Sequence, residues 1–180
     1  MMMAAWGLGS RVAQLDSHHS HTSAQRKAYH GWPFTLQMEI AMVPNKACAV
    51  VLSSSPPAKL LLFRHPLAGT QLVKGTIEEG ESPAQAALRE LAEESGIHDA
   101  MVAADLGCWR ADDRDQVWSF HLCRPGRALP EHWAHQTLDD HGHVFEFFWA
   151  SLEDLPYTEC HPVFQRALEF LRKTLKEFWR

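Results

Sequence analysis

The chain has 180 residues, 46% of them hydrophobic and 22% charged, with a net charge of −5 and a pI near 6.2. That balance suits a single soluble globular domain. It excludes the overall basic footprint by which proteins hold nucleic-acid backbones or anionic membranes. No apolar run approaches the roughly 18 residues that span a bilayer. The expectation is a cytoplasmic protein with a small-molecule partner and no membrane or nucleic-acid partner. Its four cysteines, Cys48, Cys108, Cys123 and Cys160, form no C-x-x-C pair and are read as reduced and mostly buried.

Residues 1–35 read as a disordered or extended leader. They carry Arg11, Arg26 and Lys27 against the single acid Asp16, which leaves an organellar transit peptide as the minor reading. His18, His19 and His21 are then solvated polar residues. From residue 36 to 180 the character changes to short apolar runs broken by turn residues, the pattern of one domain. "ACAVVL" (47–52) and "KLLLFR" (59–64) flank "SSSPPA", whose prolines and serines predict a loop between two strands. Further strands are predicted at 101–109, 116–123 and 143–150. The last two alternate in part and read as half-buried, Val117, Ser119 and His121 against Trp118, Phe120 and Leu122. The tail places Val163, Ala167, Phe170, Leu171, Leu175 and Phe178 at three- and four-residue steps, an amphipathic helix packing on a sheet.

Between the second and third of these strands lies "GTIEEGESPAQAALRELAEESGI" (75–97). Ser82 predicts a helix cap, Pro83 suits the first turn where its missing N–H is harmless, and Gln85 completes a capping box. Gly96 predicts a left-handed stop. Along the helix Ala84, Ala87, Leu88 and Leu91 fall on one side, and Glu90, Glu93 and Glu94 on the other. Three like charges at helical spacing repel by some tenths of a kcal/mol per pair. An acidic face is by itself most often a solvated one, with Arg89 and Glu93 an ordinary i, i+4 pair. The whole string, however, fits G-x5-E-x7-R-E-U-x-E-E-x-G-U, with U aliphatic, through Gly75, Glu81, Arg89, Glu90, Leu91, Glu93, Glu94, Gly96 and Ile97. At average residue frequencies such a match at one starting point has a probability on the order of 10⁻⁹.

The string resembles the defining signature of the Nudix hydrolases. The resemblance implies an α/β fold, the family's α/β/α sandwich with a mixed sheet, a Nudix helix and a C-terminal helix. It implies a pyrophosphohydrolase that uses water and Mg²⁺ or Mn²⁺ to cleave a nucleoside diphosphate linked to another moiety. By motif position Glu90, Glu93 and Glu94 are similar to the metal-holding carboxylates, with Glu90 alternatively the base. Gly75 matches the position whose carbonyl adds a ligand, and Arg89 and Glu81 resemble the pair that orients Glu90. Physical chemistry points the same way: hard divalent cations take oxygen donors, and a helix lets such side chains converge on one of them. A catalytically silent nucleotide-sensing module and an RNA-end pyrophosphohydrolase stay open as alternatives. Oligomeric state stays open too, a homodimer included.

Outside the signature, Arg64 and Lys74 are the nearest cations and candidates for substrate phosphates, with plain charge balance as the competing reading. Glu146, or Asp139 or Asp140 before it, is a candidate further ligand or base. His132, His135, His141 and His143 lack a zinc spacing and are read as part of a long loop over the site, where Trp133, His135 or Trp109 would stack on a base. Asp112 stands where ADP-ribose-specific relatives carry proline, and Asp113, Arg114 and Asp115 stand where diadenosine-specific ones carry tyrosine. Both substrates are thereby disfavoured, and the substrate itself is left open.

Overall fold

The apolar runs separated by proline, serine and glycine do become strands, and the two amphipathic stretches become helices. In chain order the elements are β1 (Lys46–Val51), β2 (Lys59–His65), β3 (Gly69–Gln71), β4 (Lys74–Thr76), α1 (Pro83–Ser95), β5 (Ala100–Arg110), β6 (Val117–Pro125), β7 (His132–Gln136), β8 (Val144–Ser151), a 3₁₀ turn (Tyr157–Glu159) and α2 (Pro162–Phe178). The computed structural model describes residues 42–112, 114–138 and 142–178. The leader, Asp113, Asp139, Asp140 and His141 lie outside the described residues. Among the described residues no helix is long and apolar enough to cross a membrane.

The strands form two four-stranded sheets, β4-β1-β6-β5 and β3-β2-β8-β7. Among the described strands only β1 and β6 run parallel, with Ala47 opposite Ser119 and Ala49 opposite His121, and the other pairings are antiparallel. An isolated bridge between Leu52 and Leu60 links the sheets where β1 passes into β2. The expectation of one mixed sheet is therefore met by a mixed sheet and an antiparallel companion.

Because strand residues alternate between faces, β1 and β2 each feed two cores. Ala47, Ala49, Val51, Leu61 and Phe63 join Phe145, Phe147 and the apolar side of α1, Ala86, Ala87 and Leu91. Cys48, Val50, Leu60 and Leu62 join Trp118, Phe120, Phe148 and α2, through Val163, Phe164, Ala167, Leu168, Leu171 and Leu175. The sheets thus lie between the two helices. This also corrects the reading of β6 as half-buried. Ser119 and His121 are as buried as Trp118 and Phe120, because a parallel neighbour in mid-sheet has both faces covered.

The ends of α1 are fixed from both sides. At the N-terminus Ser82 and Gln85 form the predicted capping box, and at the C-terminus Gly96 adopts φ 74° and donates its N–H to Ala92. Helices leave their last carbonyls without internal donors. Here β7 supplies them, since Trp133 Nε1 donates to Ser95 O at 3.0 Å and His135 Nε2 lies 3.1 Å from Glu93 O. The segment expected as a loop over the site is therefore a strand that anchors the helix.

Candidate active site

The signature brings its residues together around one guanidinium. Arg89 donates through Nε to Glu81 Oε1 at 3.0 Å and through Nη2 to Glu81 Oε2 at 3.1 Å. Its Nη1 donates to Glu90 Oε1 at 2.9 Å and to Glu93 Oε2 at 2.8 Å, and Nη2 also reaches Thr76 O at 2.8 Å. A guanidinium offers five N–H groups in a planar fork, and only such a group can serve a bidentate carboxylate and further acceptors at once. The fork joins the 76–81 loop to α1 and holds Glu90 and Glu93 one turn apart. Glu81 is steadied further by the backbone N–H of Glu78 at 3.1 Å. Arg89 was expected to orient Glu90 together with Glu81; its hold on Glu93 and Thr76 needed the folded loop to be seen.

The electrostatics follow from this geometry. The Arg89 hydrogen bonds hold the Glu81 carboxyl below the usual carboxylate range. The hydrogen bonds to Glu81 lead a set of carboxylate contacts that raises Arg89 above its ordinary value. Burial pushes the Glu90 carboxyl up, against the opposing pull of Arg89, and the Glu93 charge adds to the rise. Only 12% of the Glu90 side chain is exposed, against 42% of Glu93. Glu90 is thus the inner carboxylate and Glu93 the outer one.

Two observations bear on whether these residues suit a divalent cation. The donors are carboxylates and a backbone carbonyl, the hard oxygen set that Mg²⁺ and Mn²⁺ take. Secondly, a β-carbon at position 75 would overlap Cδ and both oxygens of Glu90, so only glycine lets the β4 backbone close on that carboxylate. Among the described residues no three His, Cys, Asp or Glu side chains already converge as a metal cage. The positive charge between Glu90 and Glu93 is the guanidinium itself. In donor chemistry, though not in a ready-made cage, the oxygens of Glu90, Glu93, Glu94 and the Gly75 carbonyl are of the kind such an ion takes.

Two cations border the ridge on the β4 side. Lys74 places Nζ 5.0 Å from the centroid of the Trp118 ring. Lys46, which the sequence reading passed over, donates to Thr76 Oγ1 at 2.6 Å. Burial and then the Lys74 charge lower its pKa, while Glu90 raises it. The signal was its place at the head of β1, opposite Thr76 in the signature.

The other candidates lie elsewhere. Arg64 donates to Glu159 Oε2 at 3.3 Å and lies 4.2 Å over the Phe148 ring. Glu146 pairs in register with Arg64 and is exposed. By strand alternation it shares the face of Phe148 and Ala150, which pack toward α2, whereas Phe145 and Phe147 pack toward α1. No hydrogen bond or ion pair among the described residues joins Glu146 to the glutamates of α1. Trp133 stacks on Phe147 at 4.8 Å and 9°, and Trp109 meets Trp118 edge-on at 5.5 Å. Both indoles pack against the protein's own aromatics. His132 is exposed on β7, His135 holds the end of α1, and His143 lies edge-on to His65.

A three-layer α/β/α domain with an arginine-ordered glutamate ridge in the C-terminal half of its first helix defines a recognisable class. The chain belongs to the NUDIX domain family, whose model matches residues 43–174. Among solved structures it resembles an ADP-ribose pyrophosphatase from Streptococcus suis 89-1591, with a TM-score of 0.56 and 18% identity over 77% of this chain and 94% of that one. It also resembles a UDP-X diphosphatase (TM-score 0.56, 17% identity, 76% and 64% covered). A Nudix hydrolase from M. smegmatis is a third (TM-score 0.54, 19% identity, 74% and 87% covered). At these identities the likeness is one of fold. A sequence relative, an octanoyltransferase from Myxococcus xanthus, is 48% identical over 97 residues, 52% of this chain. The match spans 22% of that protein.

Proposed function

We propose that the chain is a metal-dependent pyrophosphohydrolase of nucleoside diphosphate derivatives, with Glu90, Glu93 and Glu94 holding the ion. The observation that carries the reading is the Arg89 fork, which commits one cation to three carboxylates while β4 closes on Glu90 through Gly75. A solvated acidic face has no need of so much order. Attack by water forms a bond from its oxygen to one phosphorus. The bridging P–O bond breaks, and its electron pair leaves on the other phosphate. A bound Mg²⁺ or Mn²⁺ would supply charge neutralisation at the phosphoryl oxygens and lower the pKa of the attacking water. The chain's part is to hold the donors in place: Arg89 keeps Glu90 and Glu93 on one side of α1, and Glu81 fixes Arg89. Glu90, innermost and nearest the Gly75 backbone, is the candidate to accept the proton of the water when it is not a ligand. Lys74, next to Gly75 in the chain, is a candidate to meet a substrate phosphate.

The test is a panel of nucleotide sugars, dinucleotides and nucleoside triphosphates, with Mg²⁺ and after exhaustive chelation, read by mass. Hydrolysis of at least one diphosphate, abolished by chelation and restored by Mg²⁺, is the expected result. Tight binding of a nucleotide with no turnover under any condition would make the chain a sensing module instead.

A further inference from the structure

Glu93 and Glu94 sit in the last turn of α1, and that turn is held from outside the signature. Among its terminal carbonyls, Ala92 O accepts from Gly96 N at 3.0 Å, whereas Glu93 O and Ser95 O turn to β7. A carbonyl only accepts, so His135 presents Nε2 as an N–H to Glu93 O, 3.1 Å away. The Trp133 indole does the same for Ser95 O at 3.0 Å. Glu94 lies between the two bonded carbonyls, so its backbone is fixed on either side. Glu93 is held twice, at its carbonyl by His135 and at its carboxylate by Arg89, 2.8 Å away.

The support behind these two donors is stiff. Trp133 and His135 stand at alternate positions of one strand and therefore face the same way. Trp133 pairs with Phe147 across the β7–β8 ladder and stacks on it, with centroids 4.8 Å apart and planes 9° from parallel; His135 pairs with Phe145. Both phenylalanines are buried in the core that also takes Leu91 of α1. On the helix side a β-carbon at residue 96 would come within 2.9 Å of His135 Nδ1. The glycine that ends α1 thus also admits the imidazole. Water can serve the last carbonyls of a helix, but it cannot fix their height above a sheet. Two side chains seated on buried aromatics can.

Resting on the pyrophosphohydrolase reading, we propose that Trp133 and His135 are positioning residues for the divalent ion: by fixing the carbonyls of Glu93 and Ser95 they set the reach of the Glu93 and Glu94 carboxylates, and with it the affinity of the site. Their action runs through the backbone of α1. Groups that orient the ligands of an ion commonly govern its affinity. Such coupling is reciprocal, so an ion that gains from the two β7 hydrogen bonds must strengthen them in turn.

Binding of Mn²⁺ to the intact chain, read from the paramagnetic resonance signal of the free ion, tests this. H135F and W133F each remove one N–H, and W133F keeps an aromatic ring against Phe147. Each is expected to weaken Mn²⁺ binding by roughly 10-fold or more, while H135Q, whose amide still donates, recovers most of the affinity. In steady-state hydrolysis the two variants need more Mg²⁺ for half-maximal turnover, and their substrate KM at saturating Mg²⁺ stays near that of the wild type. Thermal melts show that the variants fold. The wild type alone supplies a second measurement: Mg²⁺ saturation should slow solvent exchange of the Trp133 indole proton by roughly 10-fold, followed by NMR. Unchanged Mn²⁺ affinity in H135F and W133F, an H135Q protein as weak as H135F, or an indole exchange rate indifferent to Mg²⁺ overturns the proposal. If the wild type binds and hydrolyses normally in that event, the hydrolase reading stands and this proposal falls alone; a wild type that binds no divalent ion ends both.

Discussion

Replacing Gly75 by alanine isolates the closure of β4 on Glu90. Gly75 has no positive φ, so alanine is conformationally acceptable and its entropic effect on the unfolded chain alone would stabilise by about 0.4–1 kcal/mol. The new methyl, however, overlaps Cδ, Oε1 and Oε2 of Glu90. Restoring ordinary contact at about 3.4 Å moves the carboxylate by more than about 1 Å, which breaks its 2.9 Å pair with Arg89. Overpacking of this kind costs about 1–3 kcal/mol, which offsets the entropic gain, so the variant is expected to be less stable by up to about 2.5 kcal/mol. A displacement of that size at a reacting group lowers turnover by roughly 10²-fold. Urea unfolding followed by circular dichroism, alongside steady-state hydrolysis with Mg²⁺, reads both effects. A G75A protein that is more stable than wild type and turns over within about 2-fold of it would show that the Glu90 carboxylate is not required where the structure places it.

Three further outcomes follow from the same site and core. Glu93→Gln and Glu94→Gln should each lower kcat by at least about 10²-fold while the fold survives, since charge developing on phosphate loses its counter-ion; near-wild-type turnover in both rejects their role. Arg89→Met leaves Glu81, Glu90 and Glu93 without their shared cation and should cost about 1–3 kcal/mol in urea, discounted for the partly exposed partners, whereas a change below about 0.5 kcal/mol contradicts the clamp. His121 is buried, with Nε2 3.0 Å from Ser119 Oγ and no hydrogen bond at Nδ1, and burial pushes its pKa down despite Asp105. The unfolded chain therefore takes up a proton that the fold refuses. Stability should fall as pH drops below about 6.5, by up to about 1.4 kcal/mol per unit until the lowered folded value is passed. His121→Leu should flatten that window, and identical pH profiles of the two proteins would count against it.

Much of α1 could be read directly, because a capping box, an N1 proline and a left-handed glycine are local signals and Ser82, Pro83 and Gly96 obey them. The long apolar strands were equally plain. Three strands went unseen: β3 and β4 are three residues each, and β7 is a five-residue stretch in a histidine-rich run. β3 and β7 pair with the neighbouring β2 and β8 but are too short to show a pattern, and β4 pairs with β1 far along the chain. Ser119 and His121 looked like an outward face for the same reason, since only the β1–β6 pairing and α1 cover them. In the candidate site the glutamates and Arg89 were visible as spacing, but the fork from Arg89 to Thr76 and Glu93 was not. The hold of β7 on the end of α1 was invisible as well, since it joins Glu93 and Ser95 to His135 and Trp133.

The alternation of Lys74 and Gly75 across β4 also limits how this chain can change. A strand inverts every side chain when it slips by one position. A single inserted or deleted residue between Leu72 and Thr76 would therefore turn the ammonium toward the carboxylates and drive a bulky group where only hydrogen fits. Exchange of the residue at 74 leaves the closure of β4 on Glu90 intact, whereas altered spacing along this short segment would undo it.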